Sequence, residues 1–373
     1  MKRIAYAVGL ATGLLLSAGV LQAEELRLAP GAPPSHPAHT PLYVTLAEEL
    51  PKETDGTLTG NILGPEVANV GNMKGALQSG VVQVGNLLPL YFPGDLPNSA
   101  LMGDLAFLGR DPQVMGAAMT EYVVTCEDCQ EEFKKLGAVF AGAGSSDVYV
   151  LLTTKPVRTP DDIKGMRLRS GGSPFARWAE YIGASPVNVP VNDTFESMSQ
   201  GVIDGTMGSA ADLTSYRLID LAKYIIDLPL GTYHATVNFA VNTDAWKAMS
   251  PEQRRGFVRA ANKANIAFTQ TWGYERSNVA REEAEKAGLE VIKPDQALFD
   301  VTESFVEDDL KAVVGIAESQ YGITDAEAKI ARFRELVEKW TKIIDEVGHE
   351  PEAIAAATQK EVWDKVDYES YGM

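Results

Sequence analysis

The stretch "GMRLRSGGSP", residues 165–174, holds Arg167 and Arg169 two positions apart, followed by paired glycines and a Ser-Pro step. Read as a strand, alternation sends both guanidinium groups to one face and Met166 and Leu168 to the other. Arg169 then falls at the strand's carboxyl end, where open α/β sheets place their ligands. Gly171 and Gly172 let backbone come close, and Ser173-Pro174 opens a helix whose free N–H groups favour an anion. A guanidinium fork beside a helix N-terminus suits a carboxylate, which it can hold by two parallel charge-assisted bonds. The plain alternative is a pair of surface arginines bound to acids, in a chain with 51 acidic and 33 basic residues.

Other residues of chemical interest are few. Cys126 and Cys129 are the only cysteines, and outside the cytoplasm the pair reads as a disulfide closing a short loop. Two thiolates are half of a tetrahedral zinc set, and no histidine spacing supplies the rest. A redox C-x-x-C is the competing reading, but Glu127 and Asp128 between the sulfurs would raise the thiol pKa. His36 and His39 have a metal-compatible spacing without a third ligand nearby, so they read as a loop residue and a helix cap. There is no G-x-S-x-G elbow, no H-E-x-x-H, no P-loop and no G-x-G-x-x-G after a strand. Neither a cofactor nor a metal is expected, and no catalytic residues.

The elements that must position Arg169 follow an α/β pattern. Residues 1–23 carry Lys2 and Arg3, an apolar stretch and a small residue, Ala23, the layout of a secretory signal peptide. The expectation is an exported periplasmic protein starting near Glu24. A formal charge of −18 argues against nucleic acid or an anionic membrane surface as partner. Eleven short apolar runs read as strands: "LRLAP", "LTGNIL", "VVQVGNL", "GAVFAGAG", "VYVLLTT", "MRLRS", "ASPVNVP", "VIDGTMG", "YIIDLPL", "ATVNFAVN" and "LEVIKP". Most sit between helical patterns and are bounded by glycine, proline or a cap residue. Thr159-Pro160 and Ser250-Pro251 mark helix starts. The second opens a pattern running to about Ala287, with Phe257, Ala261, Ala264, Phe268 and Trp272 on one face and Gly273 as a bend. Two amphipathic helices separated by Gly322 follow, then a helical tail. Residues 76–87 and 197–208 echo each other as helix end, glycine turn and strand.

"TPDDIKGMRLRSGGSP", "YIGASPVNVPVNDTFESMSQGVIDG" and "NTDAWKAMSPEQRR", with "GALQSGVVQVGNL" and "YFPGDLP" in the first half, together resemble the C4-dicarboxylate-type family of periplasmic solute-binding proteins of TRAP (tripartite ATP-independent periplasmic) transporters. The resemblance spans nearly all of the chain after residue 23. It implies two α/β domains with a ligand cleft between them, joined by crossing strands and a long helix. The expected division is 24–146 with about 236–274, then 147–235 with about 275–347, and a tail at 348–373. The implied role is capture of a small organic acid by cleft closure and its delivery to integral-membrane subunits.

In that family the arginine at the position of Arg169 binds the ligand carboxylate bidentately, whereas the position of Arg167 is not a ligand. Two departures bear on specificity. Tyr149 stands where relatives often carry a second arginine, and "DGTMGS" puts Met207 and Gly208 where Glu and Asn are usual. Both exchange polar donors for apolar or aromatic surface, which points to a ligand with one carboxylate and an apolar or aromatic body. Further expected lining residues are His36, Asn69, Asn72, Asn86 and Tyr91 from the first half. The second half would add Gly172, Phe175, Trp178, Phe195 and His234. A periplasmic sensor subunit, a thiol oxidoreductase using Cys126 and Cys129, and a hydrolase are the alternatives.

Overall fold

The computed structural model describes residues 23–373; the export signal expected over residues 1–23 lies, but for Ala23, outside them. All eleven expected strands form. They are β1 (Glu24–Ala29), β2 (Leu58–Ile62), β3 (Val84–Leu87), β4 (Ala138–Phe140), β5 (Val150–Thr153) and β6 (Arg167–Ser170). The remainder are β7 (Ser185–Asn188), β8 (Gly205–Gly208), β9 (Tyr224–Ile226), β10 (Val237–Asn242) and β11 (Glu290–Ile292). They build two sheets, ordered β2-β1-β3-β10-β4 and β11-β9-β5-β8-β6-β7. The two echoing segments are equivalent helix-turn-strand units, one leading into β3 and the other into β8.

Each sheet contains one strand that runs against its neighbours, β10 in the first and β5 in the second. These are the strands the chain enters on crossing from one unit to the other. The outgoing segment after β4 and the returning segment before β10 lie side by side. Tyr149 N–H donates to Gly231 O at 2.7 Å, Leu230 N–H to Tyr149 O at 2.9 Å and Ser146 N–H to Tyr233 O at 3.1 Å. The two units are therefore joined by a hydrogen-bonded ribbon rather than by a loose linker. Tyr149 and Tyr233 both sit on it.

A third crossing is helical. Ser250 caps the helix Pro251–Gln270, with Gln253 returning the bond to complete a capping box, the pairing that satisfies two free N–H groups at a helix start. The helix widens into a π turn over Thr271–Glu275, the site of the expected bend at Gly273, and continues as Arg276–Lys286. A Cβ on Gly273 would lie 2.5 Å from Pro112 Cβ, so the turn marks where this helix presses on the helix Pro112–Thr125.

The late helices divide between the units. Gln296–Ile316 packs on the second unit's helices Pro160–Ile163 and Ser173–Tyr181, with Arg177 Nε and Nη2 bonded to Asp309 at 2.6 and 2.8 Å. The helix Ala326–Val347, expected with the second unit, lies along Pro112–Thr125 of the first instead. The reason is a buried carboxylate: Glu121 Oε2 accepts Trp340 Nε1–H and Lys339 Nζ–H, both at 2.8 Å. Cys126 and Cys129 are joined as a disulfide at the start of the helix Glu127–Leu136.

Candidate ligand-binding site

Arg169 sits at the third position of β6, parallel to β8 on one side and β7 on the other. Only 2% of it is exposed. Its Nε–H donates to Val189 O at 3.1 Å and Nη2 to Tyr91 Oη at 2.7 Å. The same Tyr91 oxygen accepts Val191 N–H at 3.1 Å. Tyr91 comes from the first unit, so one phenol ties the arginine and the β7 loop of the second unit to the first. Among the described residues Nη1 has no protein hydrogen bond, leaving the outer edge of the fork turned toward the space between the units. Burial works against its charge, and Tyr91, Tyr149 and Asp212 outweigh that effect to raise its pKa.

Arg167, on the same strand face, meets a different fate. It is half-exposed and makes a fork on Asp204, Nε to Oδ2 at 3.0 Å and Nη2 to Oδ1 at 3.1 Å. Spacing alone could not separate the two arginines. Arg167 lies at the strand's open end beside a carboxylate, whereas Arg169 is covered by the opposite unit.

The covering is permitted by Gly172. Its φ is +154°, a conformation residues with a Cβ rarely adopt, and a Cβ there would lie 2.8 Å from Leu90 Cβ. Leu90 follows β3 in the first unit, so a bare backbone at 172 lets the units meet. Nearby, Arg177 Nη1 reaches Asp104 of the first unit at 2.9 Å and Tyr321 donates to the same carboxylate at 2.8 Å. On the far side of Arg169, Ser35 Oγ donates to Ser215 O at 2.8 Å and Ser215 Oγ to Ser35 O at 3.2 Å. Asn192 Nδ2 adds a bond to Gly31 O at 3.2 Å.

Between these contacts lies a cavity with about 500 Å³ of space between atoms. It is a narrow chamber closed in by the two units. Its walls are aromatic and aliphatic: Tyr91, Tyr149, Tyr216, Tyr233, Phe268 and Trp272 contribute rings. Tyr149 and Tyr233 stack 6.0 Å apart, with Phe175 behind both at 5.2 and 6.3 Å. Burial pushes the Tyr149, Tyr216 and Tyr233 phenols well above their ordinary pKa. A larger groove, about 1080 Å³ against the chamber's 500 Å³, opens beside Glu49 and Lys263. It lies on the outside of the first unit, where Lys263 is already held by Glu49 and Glu53 at 2.6 Å.

Polar groups in the chamber are Asn86, Thr236, His36 and Asp212. Asn86 Oδ1 and Tyr233 Oη are buried without a protein hydrogen bond. His36 Nδ1 accepts Ala38 N–H at 3.0 Å, which leaves the proton of the neutral ring on Nε2. The ring is wedged against Tyr216 and Trp272, centroids 5.2 and 5.5 Å away. Desolvation, helped by Arg276, lowers its pKa to about 3, so it is neutral and its 4.0 Å separation from Asp212 Oδ1 is not an ion pair. Burial pushes Asp212 up to about 7 against the opposing pull of Arg169, with Asp147 adding to the rise.

Of the expected lining residues, Arg169, Tyr149, His36, Asn86 and Tyr91 meet at the chamber. Others do not. Trp178 faces away from it, donating Nε1–H to Thr302 Oγ1 at 3.2 Å in the second unit's core. Phe175 supports the tyrosines from behind. Met207 is enclosed in β8 opposite Leu151 of β5. Gly208 acts by being small, since a Cβ there would lie 2.8 Å from Asp212 Oδ2. Asn69 and Asn72 brace their own turn, Asn72 Oδ1 accepting Asn69 N–H at 2.8 Å. Phe195 lies under the Arg217 guanidinium. His234 is turned to the other side of the ribbon, donating to Met102 O at 3.0 Å and stacked on Phe333.

Asp212, Tyr216 and Tyr233 escape sequence reasoning because nothing local distinguishes them from other acids and tyrosines. Phe268 and Trp272 are visible as a helix face, but only the crossing of that helix brings the face's end to the chamber.

The chain is similar to several characterised proteins. It is 30% identical over 146 residues to the C4-dicarboxylate-binding protein DctB of Bacillus subtilis, a match spanning 38% of each chain. A TRAP periplasmic solute-binding protein from Bordetella bronchiseptica, solved with bound (R)- and (S)-mandelate, is 26% identical with a TM-score of 0.72. That alignment covers 85% of this chain and 99% of the other. A TRAP solute-binding protein from Rhodoferax ferrireducens with copurified benzoate shares the fold, with TM-score 0.74, 19% identity, and coverage of 86% and 99%. The profile described as bacterial extracellular solute-binding protein, family 7 (DctP), matches residues 28–307, and the chain belongs to that family of TRAP periplasmic solute-binding proteins, which bind and do not catalyse.

Proposed function

We propose that this protein captures a small monocarboxylic acid with an apolar or aromatic body and hands it to the membrane subunits of a TRAP transporter. The observation that carries the reading is Arg169: a buried guanidinium at the seam of two units, its Nη1 edge unbonded by protein and facing an aromatic chamber. In such a site water is excluded and an ion pair is stronger than in solvent, so closure is favoured when an acid is present.

Charge supports one carboxylate over two. Tyr149 occupies the position where a second arginine would stand, and Asp212, in its ionised form, would repel a second carboxylate. The tyrosine rings and Trp272 supply surface for an apolar body. That relatives of similar fold were solved with mandelate and benzoate agrees with this reading. The two bodies that close are the units built on the two sheets. We take residues 24–146 with about 236–274 as the first and 147–235 with about 275–323 as the second.

The test is a thermal-shift screen of the chain from Glu24 onward against mono- and dicarboxylic acids. A ligand at about 100 times its Kd adds roughly 2.7 kcal/mol of stability. Arg169→Ala removes the partner of a buried carboxylate and costs about 3 to 5 kcal/mol of binding. Tight binding of succinate or malate with no response to monocarboxylates overturns the proposal.

A further inference from the structure

The chamber contains a second polar locus that a simple apolar acid would leave unused. His36 and Asp212 come from opposite units, the first from the loop after β1 and the second from the segment after β8. Both are buried and both line the chamber. Because Nδ1 is occupied by Ala38 N–H, the His36 Nε2–H is a donor, and it faces Asp212 Oδ1 across 4.0 Å. That is too far for a hydrogen bond between them. Among the described residues no other side chain donates to that carboxylate within hydrogen-bond distance. With no Cβ on Gly208, Oδ2 packs against the β8 backbone, 2.8 Å from where a Cβ would stand, so the Oδ1 edge is the one left for the chamber.

We propose that His36 and Asp212 form a hydroxyl-reading clamp, so that the acid captured here carries an alcohol or phenol hydroxyl in addition to the carboxylate held by Arg169.

The geometry selects the group. An oxygen placed about 2.8 Å from both His36 Nε2 and Asp212 Oδ1 subtends roughly 90° over their separation, within the reach of two ordinary hydrogen bonds. It must accept from the imidazole and donate to the carboxylate at once. A hydroxyl does both. With Asp212 ionised, as it is above about pH 7, a keto oxygen can only accept and would face the carboxylate, an ammonium can only donate and would face the Nε2 proton, and a second carboxylate meets like charge, so the binding comparisons are made at pH 8. The unbonded Asn86 Oδ1 in the same wall also favours a donor-bearing ligand. The two residues are on different units, so the hydroxyl, like the carboxylate, is read only when the units are together.

This inference rests on the carboxylate reading of Arg169 and is tested so that the two fail separately. Binding to the chain from Glu24 onward is measured by calorimetry for matched acids differing by one hydroxyl: phenylacetate with mandelate, benzoate with 3-hydroxybenzoate, and isovalerate with 2-hydroxyisovalerate. In at least one pair the hydroxy acid is expected to bind 10- to 100-fold tighter. Asp212→Leu, and independently His36→Phe, should reduce that ratio to within about threefold, the ratio being the readout whatever each variant does to the affinity for the hydroxyl-free acid. Asp212→Asn, which keeps an acceptor and the side-chain volume, should retain part of the preference. Arg169→Ala should abolish both members of every pair. Equal affinity within all pairs overturns the clamp and leaves the carboxylate reading standing. A preference that survives in the Asp212→Leu variant also overturns it. Binding of no acid at all overturns the carboxylate reading and the clamp with it.

Discussion

Tyr91 Oη lies 2.7 Å from Arg169 Nη2 and 3.1 Å from Val191 N, so a first-unit phenol accepts two hydrogen bonds from the second. Tyr91→Phe keeps the ring and leaves two buried donors without their acceptor. An unmet buried donor costs about 1–3 kcal/mol. The expected result is a roughly 10-fold weaker acid affinity with an unchanged circular dichroism spectrum, measured by calorimetry. An unchanged affinity would show that Tyr91 does not hold Arg169 for its ligand.

The reciprocal bonds between Ser35 and Ser215 depend on contact between the units. Each typical hydrogen bond contributes about 0.5–1.5 kcal/mol. Ser215→Ala removes one donor of the pair, and its effect should fall on release, since related complexes differ mainly in dissociation rate. Stopped-flow fluorescence should find release about 3- to 10-fold faster and association within about twofold of the parent.

Gly172 meets Leu90 through backbone alone. Gly172→Ala adds a Cβ both at a φ of +154° and into Leu90, so it opposes the meeting of the units. Affinity should fall at least 10-fold. The companion change Leu90→Ala in the same chain should recover part of that loss, because it relieves the clash and leaves only the backbone strain. Small-angle scattering with a saturating acid should detect a larger fraction of open molecules in the single variant.

Asp212 gives the pH dependence. Its carboxyl titrates near 7 in the fold against an ordinary 3.8, so the folded chain holds the proton more tightly than the unfolded one. The stability tied to this group is complete below about pH 4, declines as pH rises, and is lost above about 7. Asp147, raised to about 6 mainly by burial, acts in the same direction. His36 acts oppositely, losing stability as pH falls below 6.5, but it is common to parent and variant. Asp212→Asn should therefore be more stable than the parent at pH 8, by up to about 4 kcal/mol at 1.36 kcal/mol per pKa unit. The advantage should vanish near pH 4. Melting curves across that range check it, and a variant less stable at pH 8 contradicts the assignment.

Sequence alone determined a good deal of this protein, because the signals involved are local. Strand alternation, cap residues and glycine turns are set by each residue's own backbone preferences and near neighbours, so all eleven strands and the bend near Gly273 could be read. Arg169 was readable for the same reason, being marked by the strand end, the paired glycines and the Ser-Pro start around it. What only the tertiary structure decided is which side chains share the chamber. Trp178 and His234 are as aromatic and as near in sequence to the site as Tyr233, yet helix packing turns them to Thr302 and Met102. Asp212 looks like any other acid until the approach of the His36 loop from the other unit buries it beside Arg169. Burial and charge coupling arise from the meeting of distant segments, and the order of residues along the chain does not encode them locally.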